Sequence, residues 1–165
     1  MKYMNIVMLA TLVVGSLYSE CDTTVCHSST PGGRYTHPSF ADKSIKLRPI
    51  SSIDLEHKIA QNPHLKVVNV LGKMLAADCR IKGSTNTPLR FLEKEAQNWD
   101  RAEEIVVYCA CNECDASEKA YRLLTYLGFT NVWEYDEGIR EWYQQGKAIE
   151  GPCKESYLTA KTCKD

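Results

Sequence analysis

The stretch that most constrains this chain is Glu104-Ile-Val-Val-Tyr-Cys-Ala-Cys-Asn-Glu-Cys-Asp-Ala-Ser117. Ile105 to Tyr108 is apolar without alternation, rich in β-branched and aromatic side chains. That is the pattern of a strand buried on both faces in a parallel sheet. Asp115-Ala-Ser-Glu118 then reads as a helix start, with Asp115 as N-cap and Glu118 as its reciprocal acid. Ala116, Ala120, Leu123, Leu124 and Leu127 follow at helical spacing. Cys109 therefore ends a strand, and the loop Ala110, Cys111, Asn112, Glu113, Cys114, Asp115 climbs from it into a helix. The expected geometry aims backbone N–H groups and the positive end of a helix dipole at the Cys109 sulfur. A thiolate in such a place is stabilised and its pKa depressed.

The chain has 165 residues, enough for one domain with a real core. Its net charge of −1 points to neither a nucleic acid nor a membrane surface as partner. Eight Cys is many for this length. Lys2, the apolar run Ile6 to Val14 and the small residues Gly15, Ser16 and Ser19 form a signal-peptide pattern. The run is too short for a comfortable membrane span. Cleavage after Ser16 or Ser19 would leave all eight Cys in an exported, periplasmic or secreted chain with no membrane span. An oxidising compartment lets Cys pairs close as disulfides. Glu20 and Tyr18 fit a lipoprotein anchor at Cys21 poorly.

Four parts follow: a signal peptide over 1–19, an irregular Cys-bearing arm over 20–44, a globular domain over 45–150, and a Cys-bearing tail over 151–165. Ile45 to Ile50 reads as a first strand. Ser51 or Ser52 caps a helix to about Ala60, which Asn62-Pro63 stops. Leu65 to Leu71 is a strand, and Met74 to Ala77 one helical turn. Thr87-Pro88 opens a helix to about Trp99, with Pro in its first turn. Asn131 to Tyr135 is a further strand and Gly138 to Gln145 a short helix. Strands alternating with helices imply an α/β fold, a mainly parallel sheet with helices on both faces. Ligands of such sheets bind beyond the carboxyl ends of the strands, where Cys109 lies.

Several segments, in this order, resemble the single-domain rhodanese family of sulfurtransferases over about Ile45 to Gly151. They are Val67-Val-Asn-Val-Leu71, Arg80-Ile-Lys-Gly-Ser-Thr-Asn-Thr-Pro88, Val106-Val-Tyr-Cys109, Leu127-Gly-Phe-Thr-Asn-Val132, and Gly138-Ile-Arg-Glu-Trp142 with Gly146. The resemblance implies a rhodanese-like fold, no cofactor, and a Cys109 persulfide cradled by loop amides. It implies a small sulfur-containing donor and a thiol or cyanide acceptor. The chain departs from the family at Asn69 and Leu71, where an acid and an Arg are usual. It departs again at Arg80, where a His is usual, and at Glu137, where a Gly is usual. The loop carries Glu113 and Asp115 and no cation. An anionic donor would be repelled unless Arg80, Lys82, Lys119 or Arg140 steers it. A phosphatase or arsenate reductase needs an Arg six residues after the Cys to clamp an oxyanion. Asp115 stands there instead.

Cys111 and Cys114 read three ways: as resolving thiols in a redox relay with Cys109, as structural residues, or as ligands of a soft metal. The last needs a fourth ligand such as Cys79 or a His, so no metal site is assigned. His27, His37, His57 and His64 lack ligand spacing. Cys21, Cys26, Cys153 and Cys163 lie in the terminal arms and read as disulfides fastening the ends, with connectivity open. Two alternatives to a sulfurtransferase stand: a non-catalytic rhodanese-like binding module, and a thiol–disulfide relay.

Overall fold

The computed structural model describes residues 35–161. The chain from Ser52 runs as α1 (Ser52–Gln61), β1 (Lys66–Asn69), α2 (Lys73–Asp78), β2 (Arg80–Ile81), β3 (Thr85–Asn86), α3 (Leu89–Ala96) and β4 (Ile105–Tyr108). It continues as α4 (Ala116–Tyr126), β5 (Val132–Tyr135), α5 (Gly138–Gln144) and β6 (Ile149–Glu150). The main sheet has the order β3-β1-β4-β5, parallel throughout, and β2 pairs with β6 in a separate antiparallel ribbon. Helices flank the sheet, as the alternation of strands and helices predicts. Helix α4 packs on β4, β5 and α3. Among the described residues, no helix is long and apolar enough to cross a membrane.

Local sequence accounts for most boundaries. Ser51 Oγ accepts the Asp54 N–H at 3.1 Å and caps α1. Gly128, with φ +90°, ends the turn after α4. Every residue of β4 is buried, which its unbroken apolar run predicts. Its pairing with β1 and β5 sets Asn69, Tyr108 and Tyr135 level. Cys109 is thus the first residue beyond the carboxyl edge of the sheet.

Two expectations are corrected. Ile45 to Ile50 forms no strand; it lies along β5 and makes one parallel bridge, Pro49 to Glu134. Glu134 N–H donates to Arg48 O and Ile50 N–H to Glu134 O, both at 2.9 Å, and the pairing with β5 stops at that one bridge. Helix α3 stops at Ala96 rather than near Trp99, and Pro88 is its N-cap. Ile149–Glu150 is a strand, and Tyr157 and Leu158 in a 3-10 turn are buried next to α5.

Candidate active site

Cys109 is fully buried. Its Sγ lies 3.1 Å from Cys114 O, 3.7 Å from Cys111 O and 3.4 Å from Ser117 Oγ. The Ser117 N–H also faces the sulfur, so one amide of the first turn of α4 and the Ser117 hydroxyl stand beside these carbonyls. The loop turns two carbonyl oxygens toward the sulfur, and the thiol donates to them. Burial, reinforced by the neighbouring Cys114 thiol, pushes the Cys109 thiol well above its ordinary range rather than below it. At neutral pH the group is a thiol, not a thiolate.

The loop is pinned from behind by α5. Ile139 N–H donates to Cys109 O and Arg140 N–H to Ala110 O, each at 3.0 Å. The first amides of α5 thus serve loop carbonyls. Gly138 makes this approach possible. Its φ is +69°, and a Cβ there would stand 2.6 Å from Ala110 C and Cys111 N. Gly138→Ala is therefore expected to cost about 2 kcal/mol, from left-handed strain plus overpacking against backbone. It should also make Cys109 more accessible. Denaturant titration and the rate of thiol labelling at Cys109 check this, and an unchanged labelling rate would contradict it.

The helix start differs from its expected form. Asp115 occupies the N-cap of α4 but makes no side-chain cap bond. It pairs with Lys119 at 2.6 Å, while Glu118 pairs with Arg122 at 2.8 Å. Both acids are drawn one turn along the helix by these i,i+4 cations, so the reciprocal cap does not form.

The other predicted residues scatter. Arg80 is held by Glu150 at 2.8 Å on the β2–β6 ribbon, where Lys82 is exposed. Lys119 is engaged by Asp115. Two of the four candidate steering cations touch the loop: Arg140 through Nη2 to Asn112 Oδ1 at 3.3 Å, and Lys119 through its pair with Asp115 at the loop's end. The open cleft beside the loop, about 180 Å³, is lined by Leu47, Asn112, Cys114 and five carboxylates: Glu113, Asp115, Glu118, Glu134 and Asp136. None of the four cations lines it.

The cysteines also differ from expectation. Cys153 is bonded to Cys79 of the domain and not to another arm cysteine. Both lie beside the β2–β6 ribbon, and the chain reversal after Gly151 brings them to a Cα separation of 4.6 Å. Cys79 is thus committed to a disulfide and not to a metal. Cys111 is disulfide-bonded, so in this state it is not a resolving thiol. Cys21, Cys26 and Cys163 lie outside the described residues.

Two site residues escaped sequence reasoning. Ser117 Oγ stands between Cys109 Sγ and Glu134 Oε1, donating to the latter at 3.0 Å. Glu134 is only 4% exposed, and burial pushes its carboxyl up to about 7. The available signal was an acid inside the short apolar strand Val132 to Tyr135, where a buried carboxyl needs a partner.

The rhodanese-like domain family matches residues 52–145. The chain belongs to that family. Solved structures agree with the rhodanese-like fold. A protein of Bacillus halodurans is 24% identical, with a TM-score of 0.59, covering 64% of this chain and 78% of that one. A rhodanese-related protein of Thermoplasma volcanium is 25% identical, with a TM-score of 0.55, covering 62% and 97%. The human single-domain sulfurtransferase TSTD1 is 22% identical, with a TM-score of 0.55, covering 61% and 98%. The comparison with curated proteins returned no match.

Within this rhodanese-like domain the unusual residues have structural occupations. Buried Asn69 accepts the Leu71 N–H at 2.9 Å and donates to Tyr108 Oη at 3.2 Å. Tyr108 Oη also receives Ile81 N–H at 3.0 Å, tying β1, β2 and β4 together. Asn69 thus holds the carboxyl edge of the sheet by neutral hydrogen bonds, and Arg80 holds the outer ribbon.

Proposed function

We propose that this rhodanese-like protein carries sulfane sulfur on Cys109. The position of Cys109 carries the reading. It is the first residue past the central strand, beneath the one loop that joins that strand to α4, and it retains a thiol. Cys109 sulfur attacks the outer sulfur of a small donor. A new S–S bond forms, the donor's own bond to that sulfur breaks, and its remainder leaves with the electron pair. A thiol or cyanide acceptor then removes the outer sulfur and returns Cys109 to its starting state. The human sulfurtransferase of the same fold supports this chemistry as a class.

The resting site sets conditions on it. The thiol is covered and faces carbonyls, so loading requires residues 110–115 to move. The carboxylate-lined cleft favours a donor with little negative charge over a dianion such as thiosulfate. Export remains part of the proposal; the N-terminal pattern supports it, and the Cys79–Cys153 disulfide suits an oxidising compartment.

Intact mass tests the assignment. After incubation with polysulfide, the protein is expected to gain one cyanide-labile sulfur, and Cys109→Ser is expected to gain none. No gain in folded wild-type protein with polysulfide or thiosulfate would remove sulfur carriage and leave the binding module.

One observation favours a second reading. The Cys114 thiol acts directly on Cys109 and lines the cleft. Attack by Cys114 on a Cys109 persulfide would form a Cys109–Cys114 disulfide and release hydrosulfide. A loaded sample that loses its extra sulfur, with two thiols lost from the count, would identify this route.

A further inference from the structure

We infer that Ser117 and Glu134 form a proton path that carries the Cys109 thiol proton from its buried site to the cleft. The inference rests on Cys109 as the sulfur-accepting thiol and adds how so buried a group is activated. Three side chains stand in line: Cys109 Sγ, Ser117 Oγ at 3.4 Å, and Glu134 Oε1 at 3.0 Å beyond it. Ser117 is buried, and Glu134, though nearly covered, borders the open cleft. The chain therefore joins a sealed sulfur to water. Among the described residues, no His contacts the sulfur, so this path supplies the acceptor that the thiol lacks.

The proton balance is complete. The Cys109 S–H turns from Cys114 O toward Ser117 Oγ. As sulfur attacks, Ser117 accepts that proton and passes its own to the Glu134 carboxylate. The new bond at sulfur forms as the electrophile's leaving group departs with its electron pair, and Glu134 later releases the proton to the cleft. Groups facing Glu134 are Ser117, Glu118 and Arg122 of α4 and Asp136 beyond β5. Glu113 and Asp115 complete the acidic cleft wall. The acids disfavour a second negative charge and so raise the affinity of Glu134 for the proton, while Arg122 opposes them.

The sign of a charge-removing substitution separates this role from simple electrostatics. If Glu134 acted only as a nearby charge, Glu134→Gln would favour the thiolate and speed the reaction of Cys109. A proton path predicts the reverse. Iodoacetamide is the probe, with peptide mapping to isolate Cys109, on the full chain with its disulfides intact. Wild-type labelling is expected to rise through an inflection near pH 7, where Glu134 becomes a carboxylate. Glu134→Gln should lose that inflection and label about 10-fold more slowly at pH 8. Ser117→Ala should do the same, and the double variant should fall no further than either single one. A Glu134→Gln rate at pH 8 equal to or above wild type, or an unchanged profile in Ser117→Ala, overturns the path. Sulfur loading from polysulfide, followed to its endpoint by mass, reads the function separately. Absence of loading with the labelling profile intact would reject sulfur carriage and keep the proton path.

Discussion

Removing the Cys79–Cys153 bridge is expected to cost about 4 kcal/mol of stability, the loop-closure entropy of a cross-link of this span. The two cysteines are 74 residues apart, and the loop they close contains β3, β4, β5 and the whole Cys109 site. The effect is best read with Cys79→Ala and Cys153→Ala together, since Cys79 is fully buried and a Ser there would strand a hydroxyl. Urea titration should show the loss, and the melting midpoint should fall by roughly 10 °C. A loss below about 1 kcal/mol would mean that the tail's other attachments hold it without the bond. Those attachments exist. Cys153 N–H donates to Asp78 O at 2.9 Å, and Lys154 and Glu155 N–H groups donate to the Asp78 carboxylate at 3.0–3.1 Å. They fasten the tail to the end of α2, but unlike the disulfide they do not restrict the unfolded chain.

This bridge marks one limit of what sequence makes legible. The strand into Cys109, the helix after it and the parallel sheet all follow from local pattern, because an unbroken apolar run and a 3.6-residue period are properties of neighbouring residues. The partner of Cys153 is a property of the whole topology. It depends on β6 returning beside β2, and two-residue strands such as Arg80–Ile81 and Ile149–Glu150 carry no periodicity of their own. The Ile45–Ile50 segment meets β5 at one bridge only, which its own residues do not announce.

The site divides in the same way. That Cys109 ends a strand beneath a loop was legible; which atoms of the loop face it was not. Orientation of the 110–115 peptides depends on the two amides of α5 that claim Cys109 O and Ala110 O from behind, and on Gly138 admitting that contact. The expectation of a stabilised thiolate assumed donors from the loop, where the fold turns the Cys111 and Cys114 carbonyls to the sulfur and supplies donors from Ser117 of α4. That reversal gives Ser117 and Glu134 their importance, since a thiol buried among carbonyls needs somewhere to send its proton.

Glu134 should also leave a mark on the stability of the whole domain. Its carboxyl ionises near 4.5 in an unfolded chain and near 7 in the folded one, raised chiefly by burial. Below pH 4.5 the group is neutral in both states and contributes no pH dependence. Between 4.5 and 7 the unfolded state gives up the proton while the folded state keeps it, so stability falls as pH rises. Above 7 both states are ionised and the loss is complete, at about 3 kcal/mol. Glu134→Gln, which keeps the shape and the hydrogen bond from Ser117, removes this dependence. The variant is therefore expected to gain about 3 kcal/mol over wild type at pH 8 relative to the same comparison at pH 4.5. Urea titrations of both proteins at the two pH values measure it, and equal differences at both would show that Glu134 ionises normally in the fold. Combined with slower Cys109 labelling, a gain in stability would show an acid kept at a cost to the fold, as expected of a group retained for proton transfer rather than for packing.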